Sequence, residues 1–315
     1  MSNPGASFQP LCRHVRIPSS TASQIPIALQ VKYVQPTNAD FAAPTILFLP
    51  FWGGCATTYD SVHEHAAAAG LRNIGVALSY RGTGESETSE ADAPQEHSIE
   101  ALASDVLAVL ASEQFTDLAP SGEVVIVAHS MSAKVAWCVM RDICQGCFPR
   151  GSRRKVAVRR LLLLAPAPPG PLTLPPDMRE QQMQAYQSIE SATWTVKNVL
   201  TCGNLGHNAV DRLVRDAIAM SDGAKKGWVD LGMNLDCTDV VDQVMKTVPE
   251  FKVTVLAGRR DIVETADRVQ SETVDVVNGL GNCAVRFRII EGSGHLLPVE
   301  APAEVVRELI MLNEA

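Results

Sequence analysis

Short, mostly apolar runs recur along the chain, at 45–49, 74–78, 124–128, 161–165, 252–257 and 284–290. Each is too short for a helix and apolar at successive positions. This predicts strands covered on both faces, the situation of a parallel sheet. Between the runs, Ile99, Leu102, Val106 and Val109 fall at helical spacing, as do Val135, Val139 and Ile143. Pro302 stands where a first helical turn tolerates proline, and Val305, Val306, Leu309 and Ile310 form one apolar face behind it. Such alternation predicts an α/β fold with a mostly parallel, doubly wound sheet. Two earlier runs, 14–18 and 27–34, alternate more and precede any helical pattern, so an antiparallel edge is expected there.

One stretch breaks the rhythm. From Ala167 to about Pro249 there is no strand pattern. It opens with proline-rich 167–176 and continues as helical segments holding Met178, Met183, Tyr186, Trp194, Trp228 and Met233. The expectation is a helical cap, 167–249, inserted into a core formed by 1–166 and 250–315. Methionine and tryptophan on such a lid suit an apolar ligand. Trp194, Trp228 and Met233, with Phe51, are therefore the candidate substrate-binding residues.

The 315 residues carry 27 Lys and Arg against 35 Asp and Glu, a net charge of −8. That balance repels phosphate backbones and argues against nucleic-acid partners. The one basic run, 150–160, is too short to reverse it and reads as a solvated loop. No stretch reaches the ~18 apolar residues of a membrane span, and residues 1–18 lack the features of a secretory signal. The eight cysteines are scattered, and only Cys144 and Cys147 have C-x-x-C spacing. Without a second pair they predict reduced thiols in a cytoplasmic protein, not a disulfide framework or a zinc site. No metal or cofactor is implied, since no glycine-rich dinucleotide fingerprint opens a strand–helix unit. The partner expected is a small hydrophobic substrate; a homodimer is left open.

The strongest chemical signal follows the run at 124–128, where Ala128-His129-Ser130-Met131-Ser132 leads straight into a helical pattern. A strand, a serine and a helix in immediate succession hold the hydroxyl exposed on a tight, strained turn. Small residues are needed two places either side, where strand and helix approach closely; Ala128 and Ser132 stand there. The loops after other runs carry further signals: 48–54 (Phe48 to Gly54), 79–86 with Arg81-Gly82-Thr83-Gly84, 258–264 with Asp261, and 292–302 with Gly292-Ser293-Gly294-His295.

With these segments in this order, the chain resembles the α/β-hydrolase fold superfamily, in particular its cap-bearing serine hydrolases, over about 45–313. The resemblance implies a catalytic triad of Ser130, Asp261 and His295. It also implies an oxyanion hole from the backbone N–H groups of Met131 and Trp52. The chain departs from the pattern in having Ala128 and Ser132 for glycines, and Pro50 and Phe51 for a frequent His-Gly pair. Each role has a physical reason. A serine hydroxyl attacks only when a histidine takes its proton, a carboxylate fixes that histidine, and preorganised donors receive the oxyanion. Glu264 is the competing candidate for the acid. His14, His63, His65, His97 and His207 are expected at the surface or at caps, His129 in a structural role and Cys55 in packing.

Serine at the nucleophile position sets the chain apart from relatives that use aspartate (haloalkane dehalogenases, epoxide hydrolases) or cysteine (dienelactone hydrolases). The resemblance implies a serine hydrolase cleaving a medium-sized hydrophobic ester or lactone. A carbon–carbon (diketone) hydrolase, a natural-product cyclase or lyase, and a ligand receptor that keeps the triad remain alternatives.

Overall fold

The structure, a computed structural model, describes residues 10–18, 25–149, 156–203, 205–280 and 285–314. Eight strands form one sheet: β1 (Leu11–Ile17), β2 (Ile27–Val34), β3 (Thr45–Leu49), β4 (Gly75–Leu78), β5 (Glu123–His129), β6 (Ala157–Leu164), β7 (Lys252–Gly258) and β8 (Arg286–Ile290). Their order is β1-β2-β4-β3-β5-β6-β7-β8. β1 and β2 pair antiparallel, as do β2 and β4, and every later pairing is parallel. The expected sheet and its antiparallel edge are both present.

Period-two alternation divides the strand side chains between two apolar layers. Leu47 and Leu49 of β3, Ile126 and Ala128 of β5, and Leu161 and Leu163 of β6 face one layer. Ile46 and Phe48, Val127, and Leu162 and Leu164 face the other. The first layer is covered by α2 (Ile99–Leu110) and α4 (Ser132–Cys144), the second by α1 (Asp60–Ala68) and α13 (Pro302–Glu314). The short helices α3 (Glu113–Leu118), α10 (Ala266–Val269), α11 (Asp275–Leu280) and α12 (Leu297–Glu300) complete the connections.

Between β6 and β7 lie α5 (Pro176–Gln184), α6 (Ile189–Thr195), α7 (His207–Ile218), α8 (Asp222–Asp230) and α9 (Thr238–Thr247). They do not form one layer. Ala185, Tyr186, Ala192, Val196, Leu200, Val210, Leu213 and Val214 build a third apolar cluster with Phe51 and Leu296, residues that follow β3 and β8. α9 instead packs on α4 and α11, with Val241 and Val244 in the first layer of the core.

Two local expectations change. The basic run was expected as loop throughout, but Arg159 and Arg160 lie within β6, where exposed Arg159 alternates with buried Val158; 150–155 lie outside the described residues. The last strand begins at Arg286 instead of 284, which is also outside them. No helix of the described residues is long and apolar enough to cross a membrane.

Candidate active site

β5 ends at His129 and α4 begins at Ser132, so Ser130 occupies the turn between them. Its φ is +55°, a left-handed conformation that costs a residue with a side chain about 1–3 kcal/mol. The neighbouring strand's end holds it there. The Ser130 N–H donates to the Leu164 carbonyl at 2.9 Å, and the Ser130 carbonyl accepts from Ala133 and Ala167 at 2.9 and 3.1 Å. The second small residue does more than fit. The Ser132 hydroxyl donates to the Pro50 carbonyl and accepts from the Tyr80 hydroxyl at 2.7 Å, tying the Ser130 turn to the loop after β3.

Ser130, His295 and Asp261 meet at the carboxyl edge of the sheet. His295 Nε2 is 2.9 Å from Ser130 Oγ, and His295 Nδ1 is 2.8 Å from Asp261 Oδ2. A carboxylate only accepts, so Nδ1 carries the proton and the bare Nε2 faces the serine hydroxyl. Asp261 is itself fixed, because its Oδ1 accepts the N–H groups of Val263 at 2.8 Å and Glu264 at 3.0 Å. All three side chains are buried. Burial alone would lower the His295 pKa; the Asp261 carboxylate overrides this and raises it above the usual imidazole value. The acid loop lies close to the histidine loop at Gly258, where an added Cβ would meet the Gly294 carbonyl oxygen at 2.1 Å.

The loop after β3 faces this group. Neither the Trp52 nor the Met131 N–H donates to a protein acceptor among the described residues, which leaves both free for an oxyanion. Trp52 is held at both ends. Its indole N–H points at the carbonyls of Ala224 and Lys225 in α8, at 3.3 and 3.2 Å, and its own carbonyl accepts the Tyr186 hydroxyl at 3.0 Å. Gly53 follows at φ +106°, and a Cβ there would come within 2.5 Å of that hydroxyl. Only glycine fits.

Over Ser130 and His295 opens a cavity of about 270 Å³. Its walls include Phe51 and Trp52 from the β3 loop, Trp194, Leu200 and Trp228 from the β6–β7 excursion, and Ile262 and Glu264 from the acid loop. Phe51, Trp194 and Trp228 thus stand where substrate-binding residues were expected. Met233 does not. It is fully buried in the first core layer, where its carbonyl accepts the Leu172 N–H at 2.7 Å, and it lines no part of this cavity. Trp228 shares that core layer with it while also reaching the cavity wall.

The Alpha/beta hydrolase family model matches residues 46–308. The chain belongs to the alpha/beta hydrolase family. Solved structures of similar fold include an esterase from Exiguobacterium antarcticum, at TM-score 0.72 and 13% identity over 96% of this chain and 100% of that one. A thermophilic esterase from Thermogutta terrifontis gives 0.66 and 17% over 95% and 97%. A bromoperoxidase from Bacillus anthracis gives 0.71 and 12% over 96% and 100%. Likeness at these identities concerns the fold. No curated protein matches the sequence.

In this alpha/beta hydrolase several further residues brace the site from a distance. His129, fully buried, donates from Nε2 to the His295 carbonyl at 2.8 Å; burial and the neighbouring His295 hold its pKa well below the usual value, so it stays neutral. Lys134, buried on α4, donates to the carbonyls of Gly170 at 2.9 Å and of Leu235, joining the helix after Ser130 to two distant points of the excursion. Arg81, after β4, is buried and donates to Asp105 of α2 at 2.6 Å. Two histidines expected at the surface or at caps are buried. His63 packs edge-on against Phe48, and His97 is bonded to Asp92 at 2.8 Å. The Cys55 thiol is pushed up to about 11 by burial and by nearby Asp216, which leaves it protonated and unreactive at neutral pH.

Proposed function

We propose that the protein is a serine hydrolase that cleaves a medium-sized hydrophobic ester or lactone through an acyl-enzyme. The observation that carries this reading is the continuous chain Ser130 Oγ to His295 Nε2 to Asp261 Oδ2, opening into an apolar cavity. His295 takes the hydroxyl proton as Ser130 attacks the acyl carbon, and Asp261 stabilises the imidazolium. The N–H groups of Met131 and Trp52 receive the negative charge. His295 then returns the proton to the leaving alkoxide, and water repeats the sequence to release the acid. Helices α5 to α8 act as the cap that shapes the cavity.

The walls favour an uncharged acyl group. Among the described residues lining the cavity there is no Lys or Arg to receive a substrate carboxylate. The volume lies near the lower end of ordinary small-molecule pockets, which suits a medium-sized acyl chain better than a triglyceride. Purified protein is expected to turn over p-nitrophenyl butyrate repeatedly. Ser130→Ala should lower kcat on the order of 10⁴-fold or more while keeping the fold. Turnover retained in Ser130→Ala would refute the serine mechanism.

A further inference from the structure

One carboxylate grips the loop that carries His295. Glu300, partly buried at the end of α12, accepts on Oε2 the N–H groups of Gly294 at 3.0 Å and Leu296 at 3.2 Å, the two amides that flank the histidine. Its Oε1 accepts the N–H of Cys202, in the β6–β7 excursion, at 2.8 Å. The buried Gly294 N–H has no other acceptor among the described residues. The excursion reaches the same loop through the Leu200 carbonyl, which takes the His295 N–H at 2.9 Å and shares that of Leu296 at 3.3 Å. The Cys202 thiol adds a contact to the Gly292 carbonyl at 2.9 Å. The fit is close. A Cβ on Gly294 would meet the Cys202 nitrogen at 2.9 Å and Glu300 Oε2 at 3.1 Å, so glycine is what lets the carboxylate lie against the main chain.

We propose that Glu300 is the positioning residue for His295, joining the main chain on both sides of the imidazole to the β6–β7 excursion. The inference rests on reading Ser130, His295 and Asp261 as a triad. A residue that only capped α12 would need the Leu296 N–H alone; Gly294 and Cys202 lie outside that helix. The bonds on either side of His295 fix where its ring starts, and that ring has to meet Ser130 and Asp261 at once, at 2.9 and 2.8 Å. The acid loop is tied to the same segment, because the Arg260 N–H donates to the Ser293 carbonyl at 2.9 Å. A shift of about 1 Å in such a constellation costs on the order of 10²-fold in rate. The charge of Glu300 acts in the same sense. Burial lowers the His295 pKa, Asp261 raises it most, and Glu264 and Glu300 add to that rise.

The test compares Glu300→Gln, Glu300→Asp and Glu300→Ala, each at a temperature where circular dichroism shows it folded. Gln keeps one carbonyl oxygen for the Gly294 and Leu296 N–H groups, whereas Asp is a methylene too short to span them and Cys202 together. On p-nitrophenyl butyrate, kcat is expected to fall less than about fivefold in Glu300→Gln, about tenfold in Glu300→Asp and on the order of 10²-fold in Glu300→Ala. KM should change less than about twofold throughout, because the substrate cavity is untouched. In magnetic resonance spectra of isotope-labelled histidine, the His295 Nδ1–H signal should persist in Glu300→Gln and be lost to exchange with water in Glu300→Ala. Should Glu300→Ala not fold, Glu300→Asp carries the same readouts. A higher kcat in Glu300→Asp than in Glu300→Gln would assign the effect to charge instead of hydrogen bonding and overturn the proposal. So would a loss carried by KM, or an Nδ1–H signal that survives the truncation unchanged. That signal needs no turnover, so an unsubstituted protein without esterase activity would refute the hydrolase reading while the signal still decides the role of Glu300.

Discussion

At the scale of single residues, the proposed mechanism turns on His295, which must be neutral to take the Ser130 proton. Activity therefore rises with pH through the His295 pKa. Burial works to lower that pKa, the Asp261 carboxylate works to raise it, and the carboxylate prevails. The acidic limb of kcat/KM is expected above the usual imidazole range for this reason. Asp261→Asn should move that limb to lower pH and reduce kcat by up to ~10⁴, the scale seen when the histidine loses its tautomer. A profile unmoved by Asp261→Asn but shifted by Glu264→Gln would transfer the acid role to Glu264. That Ser130, Asp261 and His295 converge was legible because each sits in a loop directly after a strand, where a parallel sheet collects its functional groups. The supporting atoms were not legible. Ser132 looks like a mere substitute for glycine, yet its hydroxyl grips Pro50, and Tyr186 reaches Trp52 from 134 positions away. No local pattern encodes contacts of that range.

At the scale of elements, the apolar runs announced the strands well, since a strand buried on both faces leaves an unbroken hydrophobic trace. The helices between β6 and β7 were harder. An amphipathic period shows that a helix has an apolar face, but not which neighbour covers it. Met233 and α9 thus resemble the remainder of the excursion in sequence while belonging to the layer against the sheet. The two tryptophans divide along the same line. Trp194 is 50% exposed at the cavity, and Trp228 is 4% exposed and embedded in the core layer. Trp194→Ala should raise KM for hexanoate esters more than for acetates with little change in Tm. Trp228→Ala should cost about 3–5 kcal/mol of stability, the range for a large core aromatic. Chain-length kinetics with thermal unfolding of both variants checks this; equal stability losses would mean that the two residues share one environment.

At the scale of the whole molecule, two apolar layers clamp a sheet, and a third cluster closes over its carboxyl edge. The Ser130 turn is bonded to the β3 loop through Ser132, and α4 to the excursion through Lys134. The histidine is bonded to β5 through His129. Bonds between separate elements of this kind preorganise a site, so that donors need not rearrange as charge develops. The central claim is that this scaffold delivers an activated serine to an apolar cavity. It is tested most directly by intact-mass and peptide mapping after exposure to an alkyl fluorophosphonate. The account predicts a single stoichiometric adduct on Ser130, formed at least about a hundredfold more slowly in His295→Ala. An unlabelled Ser130, or labelling that does not depend on His295, would contradict it.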